Sequence, residues 1–198
     1  MGVKLVSSGG GSVEINPPAT AVSYTATMPA GTGTVAVQGA STNIVSGTAV
    51  ASTSGTSINF TDIPSWVKRV TVMFSGVGTN GTSIVQIQIG TSSGVEITGY
   101  LSATASCATG NVVQANNSTT GFATCGGAAT VVSHGAVAIV SLGGNAWAAS
   151  GSLGRSDAAA ANVCGGAKTL TGTLDRVRIT TVNGTDTFDA GSINILYE

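Results

Sequence analysis

From Ser57 onward, apolar and polar residues alternate with a period of two, restarting after clusters of Gly, Asn, Asp or Ser. Val70, Val72 and Phe74 share one face of a segment whose other face carries Arg69, Thr71 and Met73. Val85, Ile87 and Ile89 alternate against Gln86 and Gln88, and VEITGYLS, GAVAIVSL, NAWAASGSL, KTLTGTL, RVRITTV and SINILYE follow. Successive side chains of a strand point to opposite faces, so this period predicts half-buried strands. Many short strands with turn residues between them predict an all-β fold, an antiparallel β-sandwich or jelly roll, over residues 57–198. Only SDAAAANV, with Asp157 as N-cap, offers a brief helical turn. The polar, Gly- and Thr-rich stretch 111–127 reads as a long loop or a protruding hairpin.

Residues 1–40 read differently. Val13 and Ile15 alternate, Pro17-Pro18 interrupts, Val22, Tyr24, Ala26 and Met28 alternate again before Pro29, and TGTVAV offers one more short strand. These extended pieces have too little bulk for a core of their own, which predicts an N-terminal arm that pairs with another chain or docks on a partner. Residues 41–56 are small and polar and read as a linker.

Composition sharpens the picture. Charged residues make up 8% of the 198 residues and aromatics 5%, with 29 glycines, against roughly 25% charged in ordinary soluble domains. The four arginines and three lysines are scattered and the net charge is −1, which leaves no basic footprint for nucleic acid or an anionic membrane. Mean hydropathy is positive, yet Ser, Thr, Gly or Asn interrupts every apolar run before the ~18–20 residues of a membrane span. The apolar core of MGVKLVSSGGGS is too short for a secretory signal, and its fit to a myristoylation start is poor. So lean and uncharged a chain is expected to bury surface between subunits. Cys107, Cys125 and Cys164 form neither a disulfide framework nor a zinc pattern. Cys107 and Cys125 either pair or, like Cys164, stay as partly buried thiols.

Three stretches imitate chemical motifs. GVGTNG, Gly76 to Gly81, spells the G-x-G-x-x-G of dinucleotide-binding folds, with Glu96 at the spacing of the ribose acid. That fingerprint needs a helix N-terminus after the glycines. The strand-like SIVQIQI follows instead, and Asn80-Gly81 suits a hairpin turn. GTSSG presents Ser92 as in a nucleophile elbow, and His134 is the sole histidine. The elbow also needs a helix, whereas VEITGY reads as extended, so the stretch is a connection between strands. NGTDTFDAG gathers Asn183, Asp186 and Asp189 without the spacing of a calcium loop, and turn chemistry explains them equally well.

Asp62, Asp157, Asp175, Glu14, Glu96 and Glu198 form no pattern of paired carboxylates, although tertiary pairing for glycoside hydrolysis stays open. Trp66 and Trp147 suit the core, with sugar stacking or a contact hot spot as the alternative. Arg176 and Arg178 fall opposite Val177 and Ile179, either solvated or paired with a neighbouring strand's acid. No catalytic, cofactor-binding or metal-binding constellation emerges, and no binding residue can be named.

Long phrases of the chain resemble bacteriophage proteins. LVSSGGGSVEINPPATAVSYTATMPAGTGTV resembles the N-terminal segment of tailed-phage virion proteins. TSINFTDIPSWVKRVTVMFSGVGTNGTS, WAASGSLGRSD and TLDRVRITTVNGTDTFDAGSINILYE resemble the start and end of a β-rich domain of phage tail fibres. The similarity covers nearly the whole chain, least around residues 105–130. It implies a non-enzymatic structural component of a virion, assembled in the bacterial cytoplasm, commonly trimeric, with an anchoring arm in residues 1–40 and an exposed domain for host attachment to a glycan or protein. The chain departs from long fibres in having neither heptads nor an internal repeat, which suits a compact fibre or a capsid decoration or head-fibre protein. A depolymerase or esterase acting on surface glycans is the enzymatic alternative.

Overall fold

The computed structural model describes residues 3–6, 9–10, 12–15, 44–110, 112–124 and 126–198. The chain divides into two units, Met1–Val35 and Ala36–Glu198. In the first, β1 (Val3–Val6) pairs antiparallel with β2 (Ser12–Ile15), in register from Val3 opposite Ile15 to Val6 opposite Ser12. The strands expected at Val22–Met28 and in TGTVAV lie outside the described residues.

The second unit is an antiparallel β-sandwich with no helix among the described residues. Its strands are β3 (Val45–Ser46), β4 (Val50–Ala51), β5 (Ser57–Phe60), β6 (Arg69–Thr79), β7 (Val85–Thr91), β8 (Gly94–Val95) and β9 (Tyr100–Ala108). After them come β10 (Val112–Ser118), β11 (Phe122–Ala123), β12 (Ser133–Gly143), β13 (Ala146–Arg155), β14 (Ala160–Thr169), β15 (Arg176–Thr181) and β16 (Phe188–Tyr197). The larger sheet runs β10-β9-β14-β13-β12-β6-β16-β3, with β4 also on β16. The smaller runs β11-β7-β15-β5, with β8 on β7. The stretch 41–56 thus supplies two short strands along β16.

The period of two explains the core. Val70, Val72 and Phe74 of β6, Val137 and Ile139 of β12, and Ile193 and Ile195 of β16 are buried on one side of the larger sheet. Val85, Ile87 and Ile89 of β7 and Val177 and Ile179 of β15 are buried in the smaller. Each such side chain contributes ~1.5–3 kcal/mol of apolar burial. Trp147 is buried in this core, and Trp66 packs against it with its ring 6.0 Å from that of Tyr197. Tyr100 and Phe122 meet edge to face at 5.0 Å near the β9 end.

Several local expectations are corrected. Asn80-Gly81 is a turn but does not close a hairpin: β6 belongs to the larger sheet and β7 to the smaller, so the turn carries the chain from one layer to the other. The Asn80 N–H donates to the Thr187 carbonyl and the Asn80 side-chain oxygen accepts the Thr187 N–H, in place of a two-strand ladder. KTLTGTL is strand only to Thr169. Beyond it Leu170 and Leu174 are buried as plugs, and the Leu170 and Thr171 N–H groups go to the Asn145 carbonyl and the Glu96 carboxylate. VEITGYLS breaks after Val95, and Gly99, at φ +75°, turns the chain into β9. The 111–127 region contains the β9–β10 hairpin alternative and then β11.

SDAAAANV forms no helical turn. Residues 156–159 connect β13 to β14, and residues 160–163 are the start of β14 itself. Asp157, rather than capping a helix, accepts the Val132 N–H at 3.0 Å and pairs with the Arg155 guanidinium. That guanidinium holds the Asp157 carboxyl at about 2, with the Val132 N–H assisting and partial desolvation opposing. A depressed folded-state value stabilises fully above the unfolded value, and the contribution is lost as pH falls through about 2. Asp157→Asn is therefore expected to be less stable than the parent at pH 6, with the gap narrowing between about pH 4 and 2. Urea midpoints measured across that range check it.

Candidate functional site

The residues that imitate motifs are each engaged in holding the fold. Gly76, first of the GVGTNG glycines, lies in β6 at φ +68°, and its N–H donates to His134 Nδ1 at 3.1 Å. A Cβ on Gly81 would fall 2.0 Å from the Asp186 carboxylate, so that glycine is required for the Asp186 contact. Asp186 in turn accepts the Ser83 N–H at 2.8 Å and the Asn183 side-chain amide at 2.6 Å. Those hydrogen bonds hold its carboxyl below the usual range, with desolvation opposing. Asn183 and Asp186 therefore pin the turn between the two sheets, and Asp189 is exposed beside Gly78. No group of three metal-ligating side chains gathers among the described residues.

Ser92 sits in the tight turn joining β7 to β8, where its carbonyl accepts a hydrogen bond from Arg176. His134 is on β12 of the other sheet, its second ring nitrogen 3.0 Å from Ser156 Oγ. The structure does not bring this serine and histidine together. Arg176 pairs with its neighbour Asp175, and Arg178 reaches Gln88 on β7 rather than an acid. Cys107 is exposed on β9, the Cys164 thiol donates to the Gly151 carbonyl, and Cys125 lies outside the described residues.

One ionic cluster is partly buried. Lys168 on β14 pairs with Glu96, and its ammonium lies 5.5 Å from the Tyr100 ring centre. Burial pushes the Glu96 carboxyl up, but Lys168 and the hydroxyl and N–H of Thr171 outweigh it, leaving Glu96 below its ordinary value. Burial pushes the Tyr100 phenol upward, against the bond to the Ile89 backbone. That phenol accepts the Ile89 N–H at 2.7 Å and lies within hydrogen-bonding reach of the Ile89 and Glu96 carbonyls. The cluster ties β7, β9 and β14 together at the sandwich end.

The feature that alternation did not reveal is the outer face of the larger sheet. In β9, β10 and β14 the polarity is inverted. Ser102, Thr104, Asn162 and Lys168 are buried toward the core, while Leu101, Val113 and Val163 point outward with 75%, 67% and 52% of their surface exposed. In β13 and β12 the outward positions are Ala146, Ala148, Ser150 and Ser152, and Ala136, Ala138, Val140 and Leu142. Outward positions from β10 through β12 carry no Asp, Glu, Lys or Arg. Strands spaced about 4.8 Å apart with about 3.3 Å per residue give the five strands from β10 to β12, at about nine residues each, a face of about 700 Å². That is close to the roughly 800 Å² per partner of a stable interface. The sequence signal was present in YLSATASCA, where the small apolar residues alternate with hydroxyls, but nothing local says which set faces the core.

The fold and these surfaces define an all-β, antiparallel sandwich whose larger sheet is uncharged on its outer face from β10 to β12. Compared with protein-family models, curated proteins and solved structures, the chain finds no match.

Proposed function

We propose that this chain is a non-enzymatic surface protein of a bacteriophage particle, a trimeric tail-fibre-type appendage. Residues 1–40 dock on other virion proteins, and the β-domain is exposed for host attachment. The observation that carries the reading is the uncharged outer face of β10, β9, β14, β13 and β12, where Leu101, Val113, Val163 and Leu142 point away from the core. A face without charge offers a second copy nothing to repel and no buried ion to desolvate. Its area suffices for a stable contact. The resemblance of residues 5–35, 56–83, 147–157 and 173–198 to virion and tail-fibre segments supports the location. The scattered cations support a role without nucleic acid. Among the described residues no helix is long and apolar enough to cross a membrane. A capsid decoration protein is the second reading, favoured by the lack of heptads or an internal repeat in this sequence.

Sedimentation equilibrium is expected to give about three times the 19.2 kDa subunit mass. The double substitution Leu101→Lys and Val163→Lys places like charges on the facing surfaces and is expected to yield single folded subunits. A parent protein that sediments as one subunit overturns the self-association. Immunogold labelling of particles separates tail from head, and labelling confined to heads overturns the tail-fibre reading in favour of decoration.

A further inference from the structure

Among the described residues of β10 to β12, the outer face of the larger sheet holds one group that acid can charge. His134, the sole histidine, is exposed on β12 opposite Gly154 of β13, in line with the outward Ala136, Ala138 and Val140. Cys107 is the other titratable side chain there, exposed on β9 opposite Val113 of β10. Acid only removes charge from a thiol, so a fall in pH adds charge to this face through the imidazole.

The surroundings of the ring select its neutral form. The Gly76 N–H donates to Nδ1 at 3.1 Å, so Nδ1 carries no proton and the ring hydrogen is on Nε2, 3.0 Å from Ser156 Oγ. The ring therefore donates to Ser156 and is not placed to take its proton. A protonated imidazole donates from both nitrogens, which sets Nδ1–H against the Gly76 N–H. Gly76 is held at φ +68° with Gly191 of β16 against its carbonyl, at the place where the β6–β12 ladder shifts register. The charged groups around the ring are engaged elsewhere. Asp157, on the β13–β14 connection, holds Arg155 and the Val132 N–H. Asp189 of β16 is exposed beside Gly78, and neither carboxylate bonds to the ring. β6 and β12 carry no acid, and Arg69, the one cation of β6, pairs with Glu198.

We propose that His134 makes the self-association of this chain pH-dependent: protonation puts a cation on the facing surfaces, releases the Gly76 N–H, and separates the copies. The inference deepens the self-association reading and rests on it, naming what regulates the contact. The neutral ring, with both nitrogens already bonded, is covered by a second copy without stranding a polar atom. An imidazolium without a carboxylate is costly to take out of water, and symmetry repeats that cost in every copy.

Sedimentation equilibrium of the full chain and of His134→Gln, at about pH 8 and about pH 5.5, tests the proposal across the range in which histidine takes up a proton. At the higher pH both proteins are expected to associate alike, since the glutamine side-chain oxygen can accept the Gly76 N–H. At the lower pH the parent is expected to need about tenfold more protein for half-association, while His134→Gln is unchanged. The variant keeps every other titrating group. The same weakening in His134→Gln therefore overturns the assignment, as does a parent that associates equally at the two pH values. A second measurement does not depend on association: the Gly76 amide signal in a heteronuclear NMR spectrum is expected to move together with the His134 ring signals as the pH falls. A Gly76 amide that stays still while the ring titrates overturns the switch. A parent that sediments as one subunit at both pH values overturns the self-association reading, and the proposal with it, even where the Gly76 amide follows the ring.

Discussion

Gly191→Ala is expected to cost on the order of 4 kcal/mol and to leave little folded protein at 37 °C. The estimate adds ~1–2 kcal/mol for a left-handed non-glycine residue to ~1–3 kcal/mol for forced repacking. Gly191 lies in β16 at φ +84°, opposite Gly76 of β6, where the ladder skips register between Ala190 and Ser192. A Cβ there would fall 2.3 Å from the Gly76 carbonyl oxygen and 2.4 Å from that of Ser75. Both obstacles are backbone, so relief means parting β6 from β16, the pair that aligns Phe74 with Ile193 and Val72 with Ile195. Gly55 supplies the control. Its φ is +76°, but a Cβ there meets nothing within 4 Å, so Gly55→Ala is expected to cost only the backbone strain, ~1–2 kcal/mol. Urea unfolding of the two variants at equal protein concentration checks the contrast, and equal losses would remove the close approach as the cause.

The second large effect comes from the ion pair between buried Lys168 and partly buried Glu96. Lys168→Met is expected to destabilise by about 3 kcal/mol, because removing one partner strands the other's charge. Lys168 and Glu96 expose 7% and 17% of their side chains, so solvent does little to replace the lost ammonium. Adding Glu96→Gln removes the stranded carboxylate while an amide oxygen still accepts from Thr171, and most of the loss is expected to return. This is a double-mutant coupling that a purely steric role for Lys168 would not produce. The pH dependence has a definite sign. Glu96 is held below its ordinary value by Lys168 and Thr171 against desolvation. The parent's advantage is therefore full above that ordinary value, and it declines as the pH falls and the carboxyl protonates. Urea midpoints of parent, single and double variants at pH 7 and pH 3.5 provide the measurement.

The strands with bulky β-branched residues were legible. Val70, Val72 and Phe74, Val137 and Ile139, Val177 and Ile179, and Ile193 and Ile195 repeat at a spacing that only extended backbone converts into one buried face. β14 was not legible, because ANVCGGAKT has neither bulk nor period: its core-facing positions are Asn162, Cys164, Gly166 and Lys168. Its preceding alanines imitated a helix because alanine favours helix when packing is silent. Gln86 and Gln88 read as a solvated face, yet both are buried under the loop that carries Ser118 and Thr120. The Arg178 bond to Gln88 was invisible in RVRITT. An arginine's partner is a tertiary fact, and a neutral glutamine took the place expected for an acid.

By itself the sequence determined that the backbone is extended, where most of its bulky strands run and that little charge is available to it. Those are local consequences of side-chain period and turn residues. Tertiary structure alone decided that Asn80-Gly81 changes sheets, that β9 and β14 turn hydroxyls and amides inward and Leu101 and Val163 outward, and that Arg178 meets Gln88 rather than an acid. A strand has two equivalent faces until another layer covers one, so which face becomes surface is settled only when the sheets pack.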